Sequence, residues 1–271
     1  MLKDITLGQY FPGNSIAHRL DPRTKILLVT LYIIALFSAK GWMGYAVMAV
    51  TLAACVKVSH VGLRALVRGL KPLVFIIAFT GILNMFFTPD THYLWEWGIL
   101  RVSVKGIENA LFMVIRIMLL VMGTFLMTYT TSPIRLTDGL ESLLNPLKKI
   151  HVPVHELAMM MAIALRFIPT LIEETDKIMT AQMARGADFE DGNLIQKAKS
   201  MVPLLIPLFV SAFRRADDLA MAMEARCYSG GEGRTKMKPL RYQGTDRKAY
   251  VILIAFLVLV IVARVLLRWP Q

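Results

Sequence analysis

The sequence predicts an all-α polytopic membrane protein of about five transmembrane helices joined to a cytoplasmic helical domain. Three observations lead there. Hydrophobic residues make up 56% of the 271, and mean hydropathy is +0.54, more apolar surface than a soluble domain of this length can bury. Several apolar runs approach the ~20 residues that a crossing helix needs. The basic excess, 31 Lys and Arg against 19 Asp and Glu, collects in connections, as it does in cytoplasmic loops.

In chain order, the apolar segments are Ile26 to Ala39, Trp42 to Val58, Pro72 to Thr88, Ile107 to Tyr129 and Tyr250 to Leu267. Because the first of them begins only at Ile26, behind a polar stretch, the N-terminus does not read as a cleaved signal. Asp21 and Pro22 supply an N-cap and a first-turn proline, with Arg23 and Lys25 as a basic flank, so the first span starts from the cytoplasm. That span is short, and Lys40 is expected to snorkel and extend it, as is Arg264 near the end of the last. Lys57, Arg64, Arg68 and Lys71 make the next connection an inner one. The connection from Pro89 to Leu100 carries Asp90, Glu96, Tyr93, Trp95 and Trp97 and reads as an outer aromatic interface, although Arg101 and Lys105 blur the rule. The N-terminus and the segment 130–248 are then inside and the C-terminus outside. The expected organisation is residues 1–129, a tail and four spans; 130–248, a cytoplasmic domain; and 249–271, the final span.

The inner segment is apolar but punctuated by Pro133, Pro146, Pro153, Pro169, Pro203 and Pro207, which mark helix starts or bends. From Ile168, Leu171, Ile172, Thr175, Ile178, Met179 and Met183 recur at helical spacing, with Glu173, Glu174, Asp176 and Lys177 between them. A second amphipathic helix runs through Leu205, Leu208, Phe209, Ala212, Phe213, Ala216 and Leu219 to Met223, with Arg214, Arg215, Asp217 and Asp218 opposite. Arg214 and Asp218 lie one turn apart. Such helices lie on a membrane or against one another rather than spanning it. They end alike, on Ala184-Arg185-Gly186 and on Ala225-Arg226-Cys227; aligning the arginines sets Asp176 over Asp217, Ile178 over Leu219 and Ala181 over Ala222, a weak internal repeat. The stretch Ser229 to Gly233 reads as a flexible connection back to the last span.

An arginine in a last turn followed by glycine complements the helix dipole and stops the helix, the bland reading of each ending. Two matched endings in one segment favour a second reading. In it, each arginine is exposed on a rigid tip and enters an acidic groove of a partner with charge-assisted bonds. The chain holds 17 methionines, several in these helices, which serve either as core filler or as a pliable surface for exchanging partners. Arg116 lies inside the fourth span and must face other helices, water or a partner. Asn84 is placed to hydrogen-bond between helices.

No motif for catalysis or nucleotide binding emerges. His151 and His155 with Glu156 do not form His-Glu-x-x-His, and Pro153 spoils the shared face, so no metal site is expected. Glu173-Glu174 is similar to the paired glutamates of intramembrane prenyl-protein proteases, but Ile178 stands where those carry arginine. No phosphate-binding glycine loop is present, and no basic run is interleaved with aromatics as a nucleic-acid groove requires. Cys55 and Cys227 are far apart and suggest neither a disulfide nor zinc. A self-contained secondary transporter or an intramembrane enzyme remains an alternative. The first should show repeated broken spans, the second convergent titratable groups within the bilayer.

Three stretches resemble the transmembrane coupling subunit of energy-coupling factor transporters, the ATP-driven vitamin importers. They are Gly8-Gln9-Tyr10-Phe11-Pro12-Gly13-Asn14-Ser15 with His18 through Lys25; the two arginine-tipped endings; and Phe213-Arg214-Arg215-Ala216-Asp217 through Arg226. The resemblance runs from near the N-terminus through the last span. It implies a non-catalytic subunit of the bacterial cell membrane, bound to two ABC-type ATPases and to a small substrate-binding membrane subunit. It further implies that ATP and Mg are held by the partners, and that this chain has no cofactor of its own. Ala184, Arg185 and Gly186 would engage one ATPase, and Ala225, Arg226 and Cys227 the other. Cys227 departs from the family's glycine. If that glycine serves close backbone approach, the contact is looser here; if it only caps the helix, little changes.

Overall fold

The structure, a computed structural model, describes residues 10–39, 41–89, 93–97, 100–187, 189, 193–231, 237 and 239–266. Lys40 and the side chains of Glu96 and Arg264 fall outside the described set, and so do the readings that rest on them. The chain is an all-α polytopic membrane protein with one short β-hairpin. In order, its helices are α1 (Ile16–Arg19), α2 (Pro22–Ser38), α3 (Gly41–Ser59), α4 (Leu63–Leu70) and α5 (Val74–Phe87), then α6 (Val104–Thr130) and α7 (Pro133–Leu144). After them come α8 (Val154–Ala184), α9 (Leu194–Ser200), α10 (Val202–Glu224) and α11 (Gly244–Leu266). The strands β1 (Tyr93–Trp97) and β2 (Leu100–Ser103) pair antiparallel in the connection between α5 and α6, with Glu96 opposite Arg101.

Two compact units result: Gly8–Ser142 with Leu240–Gln271, and Leu143–Pro239. In the first, α6 is the helix against which α2, α3, α4 and α5 pack, while α11 packs on α2 and α3. Leu36, Met48 and Leu66 are completely buried there, beside Tyr45, Leu119 and Tyr129. Small residues set the spacing. A Cβ on Gly123 would come within 2.6 Å of the Tyr32 ring, so α2 and α6 approach at that point, and the Tyr32 hydroxyl donates to the Leu119 carbonyl (3.2 Å). The other faces are turned inside out relative to a soluble bundle: Phe75 is 78% exposed, Val50 69% and Ile252 69%. Apolar side chains on the outside are stable only against lipid or a partner.

Among the described residues, Gly41–Ser59, Leu63–Phe87, Val104–Thr130 and Val154–Ala184 are long and apolar enough to cross a membrane. The first and third match spans read from the sequence, whereas the second begins at Leu63 rather than Pro72 and takes in Arg64, Arg68 and Lys71, read there as part of an inner connection. α2, at 17 residues, is about 26 Å long, slightly short of a ~30 Å hydrocarbon core. The fourth, α8, differs from the expectation of a shorter helix starting near Ile168: Pro169 sits inside a continuous 31-residue helix, and Pro207 likewise inside α10. A proline deletes its own N–H bond but leaves the ladder on either side to continue.

The N-terminal stretch is a clasp. Asp21 caps α2, accepting from the Arg23 N–H (2.9 Å), with Pro22 in the first turn as expected. Its own N–H donates to Asp246 (2.8 Å), a fully buried carboxylate that also accepts from the Gln243 N–H (2.7 Å) and so caps α11. Lys25, read as a membrane-flanking cation, is instead buried. Its Nζ donates to the Thr130 carbonyl (2.8 Å) and the Thr131 hydroxyl (3.0 Å), at the negative end of α6. His18 is buried too, between Ser15 Oγ (2.6 Å) and the Phe11 carbonyl (3.0 Å).

Candidate functional site

The second unit carries the two arginine-tipped endings, and both fold into the same cap. At the end of α8, the Ala187 N–H donates to the Gln182 carbonyl and the Gly186 N–H to the Met183 carbonyl, each at 3.0 Å. Past α10, the Tyr228 N–H donates to the Met223 carbonyl (3.0 Å) and the Cys227 N–H to the Glu224 carbonyl (2.8 Å). These paired six-to-one and five-to-two bonds are a Schellman cap, which needs a left-handed residue just past the helix. Gly186 (φ +88°) and Cys227 (φ +56°) occupy that position. Arg185 and Arg226 therefore stand at equivalent points, one residue before the turn. Ala184, Arg185, Gly186, Ala225, Arg226 and Cys227 are all exposed.

The helices behind the tips are cross-linked. Glu174 of α8 accepts from the Ser211 hydroxyl and from Arg215 of α10, whose Nη2 lies 2.7 Å and Nε 3.1 Å from Oε2. Nearer the tip, Gln182 Nε2 donates weakly to the Pro203 carbonyl (3.5 Å). The sequence sets Arg215 on an outward polar face with Arg214, Asp217 and Asp218; in the structure it points instead at Glu174 of α8. Leu204, Leu208, Ser211, Arg215, Leu219 and Met223 form the half-covered stripe of α10, while Leu205 (43% exposed), Phe209 (61%) and Phe213 (69%) look away from it. Periodicity located an apolar stripe on this helix, but it cannot tell which stripe meets a neighbour. The glutamate-arginine link spans 41 residues and leaves no local signal.

The remaining candidates resolve individually. Arg116 donates from Nε (2.9 Å) and Nη2 (2.5 Å) to the buried Tyr45 hydroxyl, with its guanidinium 5.7 Å from the Tyr45 ring centroid and 5.8 Å from that of Phe37. It thus faces α2 and α3, in a site lined by aromatic rings. Asn84 does not bridge helices: its Nδ2 donates to the Thr80 carbonyl one turn back in α5 (2.9 Å), where a backbone acceptor is always within reach. Among the described residues no group of three or more His, Cys, Asp or Glu side chains is placed to hold a metal ion. The His155 ring lies against Gly231, where a Cβ would come within 2.3 Å, so the connection read as flexible is fitted to α8 at that residue.

Comparison with known proteins decides the family. The model described as CbiQ, cobalt transport protein, matches residues 13–237. The chain belongs to the CbiQ family. Within it, similar proteins share the name energy-coupling factor transporter transmembrane protein EcfT. That of Thermosediminibacter oceani is 57% identical over 92% of this chain and 94% of its own length. That of Ruminiclostridium cellulolyticum is 53% identical over 96% and 97%, and that of Bacillus subtilis 47% identical over 97% and 100%. The resemblance carried by the N-terminal stretch and the two tips is thereby established over nearly the whole chain: this CbiQ-family member is a transmembrane component of an energy-coupling factor transporter.

Proposed function

We propose that this chain is the scaffold of an energy-coupling factor importer in the bacterial plasma membrane, passing the work of two ATPases to a substrate-binding membrane subunit. Vitamins or similar micronutrients are the cargo. The observation that carries the reading is the pair of caps with the same hydrogen-bond pattern, each presenting an exposed arginine beside small residues. A single cap of this form is ordinary; two in one unit, braced by Glu174 and Arg215, offer a matched attachment point to each of two similar partners. In this reading Ala184, Arg185 and Gly186 enter an acidic groove of one ATPase, and Ala225, Arg226 and Cys227 that of the other, on the cytoplasmic side. The exposed row Leu205, Phe209 and Phe213 is then apolar surface for the substrate-binding subunit or for lipid. ATP and Mg reside in the partners.

The test reverses both charges. Arg185→Glu with Arg226→Glu should weaken ATPase co-purification and abolish uptake while the chain still inserts into the membrane. Losing one partly desolvated charged contact costs about 2–5 kcal/mol, and reversing its sign costs more. Undiminished uptake by the double variant would remove the docking reading.

A further inference from the structure

A second site opens at the turn from α3 to α4. The helical stretches on either side, Gly41–Ser59 and Leu63–Phe87, are both long and apolar enough to cross a membrane, so the turn lies where lipid meets water. Ser59 closes it, donating to the Val56 carbonyl (2.8 Å) and accepting from the Val61 N–H (3.3 Å), while His60 takes φ +55°. Against this turn lies an open cavity of about 1120 Å³, with the N-terminal stretch around Phe11 and Ile16 as its other wall. Its lining is amphiphilic. Lys57, Arg64 and Arg68 are exposed cations, whereas Phe11, Ile16 and Val58 supply half-exposed apolar surface. Among the described residues no carboxylate lines the cavity and no ion pair engages these three cations. Arg64 and Arg68 are one turn apart on α4, so they share a face. Gly62, also on the wall, starts α4 without a side-chain cap, leaving the positive end of the helix uncompensated there. α4 buries Leu66 and Leu70 but leaves Leu63 65% and Val67 58% exposed, so an apolar strip runs beside the basic one.

We propose that this cleft binds an anionic phospholipid, its headgroup phosphate on Lys57, Arg64 and Arg68 and an acyl chain along Val58, Leu63 and Val67. The three exposed cations, unpaired among the described residues, select an anion. The apolar lining beside it selects an amphiphile over free phosphate, and the position at the end of two membrane-crossing stretches places lipid headgroups at hand. The site is independent of the arginine tips and does not rest on their proposed docking.

The experiment measures which lipids stay on the full-length protein, alone and in its complex as extracted, after reconstitution with equimolar phosphatidylglycerol and phosphatidylcholine. Retained phosphatidylglycerol should exceed phosphatidylcholine about tenfold or more, a basic residue at a membrane surface contributing roughly fivefold. Lys57→Gln/Arg64→Gln/Arg68→Gln should abolish the preference, and Lys148→Gln/Lys149→Gln, on exposed lysines of the other unit, should keep it. If the triple variant does not elute as a single species, Arg64→Gln and Arg68→Gln alone should each reduce the preference about fivefold. An undiminished preference in these variants overturns the proposal. Displacement of the lipid by glycerol phosphate at equal concentration would show a site for soluble anions and overturns the lipid assignment. Loss of the preference in the extracted complex would make the cleft a protein interface, and overturns it as well.

Discussion

At the scale of single residues, the caps give the residue after each arginine a conformational role at the tips. A Cβ built on Gly186 meets nothing within 4 Å inside the chain, so its demand there is conformational: φ is +88°. Cys227 takes the same place at φ +56°, a left-handed conformation that costs an L-residue roughly 1–2 kcal/mol. Cys227→Gly should therefore stabilise the second cap by about 1 kcal/mol, and Gly186→Ala should destabilise the first by a similar amount. Hydrogen exchange at the Tyr228 and Ala187 amides reports each cap separately. The two substitutions must move protection in opposite directions; a shared direction would refute the common geometry. The sequence displayed both motifs, because the residues that make a helix stop are local. It did not display Tyr45 as the partner of Arg116, which lies 71 residues away, or the burial of Lys25 against Thr130, 105 residues away.

At the scale of elements, α8 and α10 form a braced antiparallel pair, with Gln182 beside Pro203 and Glu174 beside Arg215, so the link holds the two helices in one register. The brace is half exposed, with side-chain exposure of 39% for Arg215 and 21% for Glu174, so its contribution is modest, about 0.5 kcal/mol. Its larger role is geometric. Glu174→Gln and Arg215→Gln should each reduce transport while leaving the amount of inserted protein nearly unchanged. The charge-swapped pair Glu174→Arg/Arg215→Glu should recover part of the loss. Equal defects in the swapped pair and the single variants would show that the link does not act between these two side chains. Helical periodicity revealed both helices, down to the charged row through Glu174. What it missed was rotation: Phe209 and Phe213 were as good a candidate for the packed face as Leu208 and Leu219. A membrane protein can leave either outward, because lipid accepts apolar surface that water would not.

At the scale of the whole molecule, the proposed topology puts the turn after α5 outside and the tips inside. With Cys55 and Cys227 replaced by Ser, a membrane-impermeant thiol reagent should label Pro89→Cys in intact cells and label Ser229→Cys only after the membrane is opened. Labelling of Ser229→Cys in intact cells would reverse the assignment. Composition and run length by themselves determined that this is a helical membrane protein and where most of its apolar helices fall, α8 excepted, since crossing a bilayer constrains length and hydropathy within one contiguous segment. Short-range chemistry likewise determined the caps and the start of α2 at Asp21. Only the tertiary structure decided that α8 runs unbroken through Pro169, that Asp246 ties α11 to the N-terminal clasp, and that Glu174 braces α10. Each of those depends on groups far apart in sequence, whose meeting is fixed by how helices rotate and pack, which no single segment encodes.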